Sequence, residues 1–260
     1  MADRTDYTWP EARDRRLIGK RISRLDGPAK VTGAAKYTYD LKRPGMLYAK
    51  VVRCPYGHAK VAKLDFAAAL RMPGVKVARA IQPVGTEVQW GGDEVAVVVA
   101  TSEGAAEDAA RAVVALFEEL PHWVRHDDAD AAPKTNPGEE QKVGDPDGAL
   151  AAAAVKIKGR YGLPFAAHNC MEAHGQICEW QGSELTAWCS TQAVSGLVQQ
   201  LAEGVGVPAS NVRILTDYMG GGYGSKFSID RWGVECAKLA KEAGAPVKLM
   251  LERRPELAVA

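Results

Sequence analysis

Three features of this 260-residue sequence predict an α+β fold. Between Gly19 and Trp123, strand-like runs follow one another with few helices between them. One of these runs, Glu94-Val95-Ala96-Val97-Val98-Val99-Ala100, is apolar enough for a strand buried on both faces. Further on, strands are joined by segments whose apolar residues recur at helical spacing.

The elements are read in order. Asp26-Gly27-Pro28-Ala29-Lys30-Val31-Thr32-Gly33 is a turn-rich entry. Ala35 to Tyr39 alternates like a strand, and Met46 to Val52 is a mostly apolar one. Phe66 to Leu70 reads as a short helix halted by Pro73-Gly74, and Val75 to Ala80 as a strand. After the 94–100 strand, a helix is predicted from Glu103 to Leu120, capped by Thr101 or Ser102, with Ala106, Ala109, Ala110, Val113, Val114 and Phe117 as its stripe. Asp127 to Gly148 is rich in Asp, Glu, Pro and Gly and reads as a linker. Ala149 to Ala154 is a short helix, and Val155 to Tyr161 alternates like a strand. Two runs flanking Gln181-Gly182-Ser183 form a hairpin, with Trp180 and Trp188 in its core. A helix bearing Val194, Leu197, Val198, Leu201 and Val205 ends near Gly206, with Pro208 beyond. Val212 to Leu215 is a strand, and the helix carrying Trp232, Cys236, Leu239, Ala240 and Ala243 stops at Gly244. Pro246 to Leu251 is the last strand. It is expected to lack neighbours and to need completion by another polypeptide.

Composition narrows the function classes. Apolar residues make up 47% and charged residues 25%, the balance of a globular protein. A net charge of +1 gives no reason to expect a nucleic-acid partner. No apolar run approaches the ~18 residues of a membrane span. Arg15-Arg16 precedes Leu17-Ile18-Gly19-Lys20-Arg21, which lacks the apolar core of an export signal, so Met1 to Arg16 reads as a solvated basic arm. The five cysteines include no C-x-x-C pair, which argues against a zinc or iron–sulfur site on this chain and for reduced, buried thiols in the cytoplasm.

The segment that carries chemistry is Thr216-Asp217-Tyr218-Met219-Gly220-Gly221-Gly222-Tyr223-Gly224-Ser225-Lys226. A loop so rich in glycine brings backbone amides close to an anionic or oxo-bearing group. It satisfies neither the Walker spacing nor G-x-G-x-x-G, which argues against a nucleotide site. A plain tight turn accounts for the glycines equally well. His168, Glu172 and His174 have the residue types of a metal site, but no helical H-E-x-x-H arrangement is present, and structural hydrogen bonding is the favoured reading.

Ala167-His168-Asn169-Cys170-Met171-Glu172-Ala173-His174-Gly175, Trp188-Cys189-Ser190-Thr191-Gln192 and the glycine loop, preceded by the 26–33 entry, occur in a fixed order. Together they closely resemble the molybdenum-binding large subunit of the xanthine dehydrogenase/aldehyde oxidase family, from about residue 17 onward. The resemblance implies an α/β hammerhead domain over residues 19–130, a linker over 131–148 and the first part of a mixed α/β molybdopterin-binding domain over 149–260. It implies a molybdenum–pterin cofactor, as molybdopterin or its cytosine dinucleotide, and the oxidation of a heterocycle or aldehyde with water as oxygen source. Iron–sulfur clusters, and in many members FAD, would sit on partner chains. Gln192 matches the family glutamine that approaches an oxygen ligand of the metal, and an amide NH₂ is a neutral donor suited to that place. Gly221, Gly222, Tyr223 and Gly224 are the other cofactor-binding candidates. Tyr223 stands where the family has Phe, and Ser225 where it has Gly. The family's general base is a glutamate far beyond residue 260 in chain order. Neither Glu172 nor Glu235 matches it, so no catalytic or metal-ligating residue is assigned, and a complementary molybdopterin-binding chain is expected. The alternative is a non-catalytic scaffold or truncated assembly module that keeps the hammerhead.

Overall fold

The computed structural model describes residues 10–123, 125, 141–164 and 166–258. The expectations for residues 1–9 of the basic arm and 126–140 of the linker lie outside the described residues.

Helix α1 (Gly27–Val31) carries Pro28 in its first turn, where a missing N–H removes no helical bond. Next come β1 (Leu47–Arg53), β2 (Ala59–Asp65), α2 (Ala67–Leu70), β3 (Val75–Ala80), β4 (Glu87–Val88) and β5 (Glu94–Ala100). Helix α3 (Glu103–Ala112) is capped by Ser102, whose hydroxyl accepts from the Ala105 amide, a contact worth ~1 kcal/mol. Strand β6 (Val114–Glu119) and helix α4 (Pro146–Ala152) follow. Strands β7 (Gly175–Gln181) and β8 (Glu184–Cys189) form the predicted hairpin about Gly182-Ser183. Helix α5 (Val194–Val205), β9 (Val212–Leu215), α6 (Arg231–Ala243), β10 (Val247–Met250) and α7 (Arg253–Glu256) complete the chain. Gly206 and Gly244 end α5 and α6 in the left-handed conformation expected of helix-stop glycines.

The strands form a seven-stranded sheet in the order β3-β5-β1-β10-β7-β8-β9 and a small sheet β4-β2-β6. Only β1–β10 and β8–β9 are parallel within the large sheet. Leu197 and Leu201 of α5 and Trp232, Cys236 and Leu239 of α6 pack on one face, against Ala49, Val97, Val99, Leu185 and Ala187. Val98, on the opposite face of β5, meets Ala109 and Val113 at the end of α3. The uninterrupted apolar run of β5 is thus explained: both of its faces are covered.

Several expectations fail locally. Residues 35–39 form no strand. Thr38–Asp40 is a 3₁₀ turn in which the Tyr37 amide donates to Asp40 and the Tyr39 amide to Glu172. The helix predicted to reach Leu120 stops at Ala112. Residues 114–119 pair with β2, turning Ala115 and Phe117 inward, because the β2 edge offers a ladder that a longer helix would leave open. Helix α4 begins three residues before Ala149, at Pro146, behind an Asp145 cap. Val155 to Tyr161 joins no sheet. The last strand is not short of neighbours: β10 lies between β1 and β7 and is paired on both sides. Its parallel ladder with β1 also joins residues 47–49 and 247–249, far apart in the chain, in one sheet.

Candidate functional site

The topology gathers four connections at one end of the large sheet. Strands β8 and β9 run parallel, with Trp188 opposite Leu215, so Ser190–Gln192 and the loop after Leu215 leave side by side. Antiparallel β7 begins at Gly175 beside that exit, with Gln176 opposite Cys189. Strand β10 ends at Met250 opposite Gly175, which brings 251–256 to the same place. Ligand sites favour such carboxyl-terminal sheet ends because neighbouring loops diverge there.

Glu172 and Lys226 hold these connections together. Glu172 Oε2 accepts from the Gly220 amide (2.8 Å) and the Ser190 hydroxyl (2.9 Å), while its backbone amide donates to the Gly220 carbonyl (3.1 Å). A Cβ on Gly220 would sit 2.4 Å from Glu172 Cβ, so only glycine permits this approach. Lys226, 1% exposed, donates from Nζ to the Glu172 carbonyl and to Ser190 Oγ, each at 2.7 Å. Burial pushes its ammonium below the ordinary lysine pKa, against the opposing pull of Glu172. The Lys226 carbonyl accepts from the Gln192 amide and the Thr191 hydroxyl.

Gln192 and the glycine loop meet directly. Gln192 Oε1 accepts from the Gly224 amide (3.1 Å) and the Lys226 amide (3.3 Å). A Cβ on Gly222 would lie 2.3 Å from that oxygen, so the carboxamide rests on bare backbone. With its oxygen engaged, the Gln192 NH₂ has no hydrogen bond among the described residues, and neither do the amides of Gly221, Gly222 and Tyr223. The Gly224 amide is therefore committed to Gln192, and the three amides before it are the ones left as donors. Ser225 closes the loop, its amide and hydroxyl both donating to the Gly222 carbonyl. Tyr223 adopts φ 53°, at a cost of ~1 kcal/mol for a bulky residue. Its ring lies against Gly221 and is 73% exposed.

His174 braces the loop from behind. Its Nε2 donates to the Ser225 carbonyl (2.9 Å), and its Nδ1 and backbone amide both face Glu256 Oε2 at 2.8 Å. Burial raises the Glu256 pKa, but the hydrogen bonds from the His174 ring and amide outweigh it and hold the carboxylate below its ordinary value. Arg253 donates to Asn169 Oδ1 (3.2 Å) and the Met171 carbonyl (3.1 Å), fixing the turn in which Asn169 has φ 43°. The residues suspected of metal ligation thus act in different networks. Among the described residues no three His, Cys, Asp or Glu side chains converge as a metal site. His168 stands apart: Nδ1 is buried without a partner, and Nε2 lies near Gly224.

These donors fit the molybdenum–pterin group that the resemblance implies. A neutral NH₂ and three backbone amides without protein partners belong to one loop and its neighbour, Gln192 rests where a Cβ on residue 222 would displace it, and the ring of His168, its Nδ1 buried without a partner, lies near Gly224. The surface is open. A cavity of about 640 Å³ touches the loop only at Gly220, running past Tyr37, Tyr39, Lys50 and Glu252. Sequence reasoning missed Lys226 as a buried strut. A lysine between Ser225 and Phe227 looks solvated until four connections close over it. All five cysteines are buried free thiols. Among the described residues no helix is long and apolar enough to cross a membrane.

Residues 128–260 match the molybdopterin cofactor-binding domain, and residues 32–84 the aldehyde oxidase and xanthine dehydrogenase a/b hammerhead domain. The chain is 32% identical to the aldehyde oxidoreductase molybdenum-binding subunit PaoC of Escherichia coli (strain K12), over 92% of this chain and 35% of that protein. It is 31% identical to the xanthine dehydrogenase molybdenum-binding subunit of Escherichia coli O157:H7, over 88% of this chain and 35% of that protein. Its fold matches quinoline 2-oxidoreductase from Pseudomonas putida 86 with a TM-score of 0.81 at 23% identity, over 93% of this chain and 35% of that one. The chain thus spans about a third of the length of the relatives it matches. With an α+β fold, a hammerhead match and a molybdopterin-binding match, it belongs to the xanthine dehydrogenase/aldehyde oxidase family of molybdenum oxidoreductases, in the large, molybdenum-binding subunit.

Proposed function

We propose that this chain is a subunit or fragment of a molybdenum hydroxylase that oxidises a heterocycle or an aldehyde, with water as oxygen source, and that it acts with a complementary molybdopterin-binding polypeptide. The observation that carries this reading is the coupled donor surface: the Gln192 oxygen is pinned by the Gly224 and Lys226 amides, which leaves its NH₂ and the amides of Gly221, Gly222 and Tyr223 available. When bound, the molybdenum–pterin group supplies a two-electron acceptor. The chain's own contribution is preorganised, uncharged hydrogen bonding beside it. Such donors cost no reorganisation as charge develops, and a neutral carboxamide orients an oxygen without adding charge. Glu172, Lys226 and His174 keep the loop in place, and the exposed Tyr223 ring borders the open side where substrate would approach. The proton acceptor is expected on the complementary polypeptide. Its electron partners would be an iron–sulfur subunit and, as in many members of the family, an FAD subunit. The pterin would be molybdopterin or its cytosine dinucleotide. The buried free thiols support a reducing compartment, the cytoplasm.

The test is metal and pterin analysis of the protein isolated with its native partners, followed by Gln192→Ala. The expected outcome is molybdenum and pterin in the complex, and a fall in kcat of about 10²-fold in the variant with cofactor content unchanged. A native complex without molybdenum would overturn the reading and leave the scaffold alternative.

A further inference from the structure

Residues 155–163 have the composition of a strand and the surroundings of a loop. Val155, Ile157, Tyr161 and Leu163 recur at even spacing with Gly159 between them, and Lys156, Lys158 and Arg160 occupy the alternate positions. The four apolar side chains are 77%, 88%, 91% and 96% exposed. The backbone of this stretch makes no hydrogen bond to the rest of the described chain; the one side-chain bond runs from Lys156 Nζ to the Ala151 carbonyl. The Tyr161 side chain folds back over Gly159, where a Cβ would lie 3.0 Å from the ring. A segment with a free backbone and apolar residues at alternate positions is a template for strand addition.

We infer that residues 155–163 pair as a β-strand with the complementary polypeptide. The inference rests on the reading above and names how the two parts join. The occupant is an extended strand with apolar residues at alternate positions, facing Val155, Ile157, Tyr161 and Leu163. Its other face carries acidic residues opposite Lys156, Lys158 and Arg160. Two observations single out that polypeptide. The relatives are about three times as long as this chain, so most of their length is available to supply a strand. The three basic residues would confront one another if a second copy of the same segment lay antiparallel against it, which disfavours self-pairing.

The test is backbone hydrogen exchange of the complex isolated from the native source, compared with this chain alone. Amides across 155–163 are expected to exchange at least 100-fold more slowly in the complex, alternate positions most of all. Ile157→Asp is expected to lower recovery of the complex at least tenfold while leaving the thermal midpoint of the chain alone unchanged. A molybdenum-containing complex in which 155–163 exchanges as fast as in the chain alone would overturn the inference and leave the proposed function standing. Protection that appears in the concentrated chain alone would assign the strand to a second copy and overturn it too. Protection by a partner in a complex without molybdenum would uphold the strand pairing and defeat the proposed function.

Discussion

Two nearby regions invert the usual distribution of side chains in opposite ways. Around Glu172, His174 and Lys226, charged and polar groups are buried. In 155–163, aliphatic and aromatic groups stand in solvent. In the first region His168 Nδ1 and Glu256 Oε1 lack a partner, but Glu172, His174, Ser190 and Lys226 are bonded to backbone and side-chain groups drawn from four separate connections. Buried polar groups of that kind contribute little net stability. They fix one arrangement, because any alternative leaves a charge unpaired. In the second region nothing among the described residues satisfies either the backbone or the apolar face. One region is a finished interior built to hold a loop still, and the other is half of an interface.

Substitutions sharpen that contrast, beginning where the effect should be largest. Lys226→Met removes both Nζ bonds and leaves Glu172 without its neighbouring cation. It should destabilise the chain by about 3 kcal/mol, read from the urea midpoint. Retention of wild-type stability would mean that the buried network is not what holds the loop. Gly222→Ala drives a methyl into the Gln192 carboxamide and should cost about 2 kcal/mol, with the Gln192 side-chain amide signals shifted in NMR spectra.

Glu256→Gln should cost about 1.5 kcal/mol near neutral pH and alter the acid limb of stability. The folded carboxylate binds its proton more weakly than the unfolded one. The stability it contributes is therefore whole above the unfolded value of about 4.3 and drains away as pH falls through the lower folded value. The variant should lose less stability than the parent over that interval, measured by urea unfolding at a series of pH values. The smallest effect belongs to the other region. Ile157→Asp should change the stability of the chain alone by less than about 0.5 kcal/mol, since that side chain is 88% exposed. A large loss would show that 155–163 packs against the fold.

Particular residues show what could be read in advance. Strands 75–80, 94–100 and 212–215 have the bounds their apolar runs suggested, and Gly206 and Gly244 end the helices they were expected to end. These signals are local, resting on side-chain periodicity and on a conformation that glycine adopts without strain. The segment 113–119 misled because Val113, Val114 and Phe117 satisfy a helical stripe and a strand equally well. Its fate depended on β2, some fifty residues earlier in the chain. The candidate site was half legible. Gln192 and Gly221 to Gly224 stood out by motif, but the commitment of the Gly224 amide to Gln192 did not.

Local signals along the chain were enough for the α+β class, most element positions and the family to which the glycine loop belongs. The mid-sheet place of β10, the interior role of Lys226 and the want of a partner for 155–163 among the described residues emerged only from contacts between distant segments. The reason is physical. Periodicity and turn chemistry act over a few residues, whereas ladder pairing and the burial of a charge depend on which distant backbone groups arrive to satisfy them.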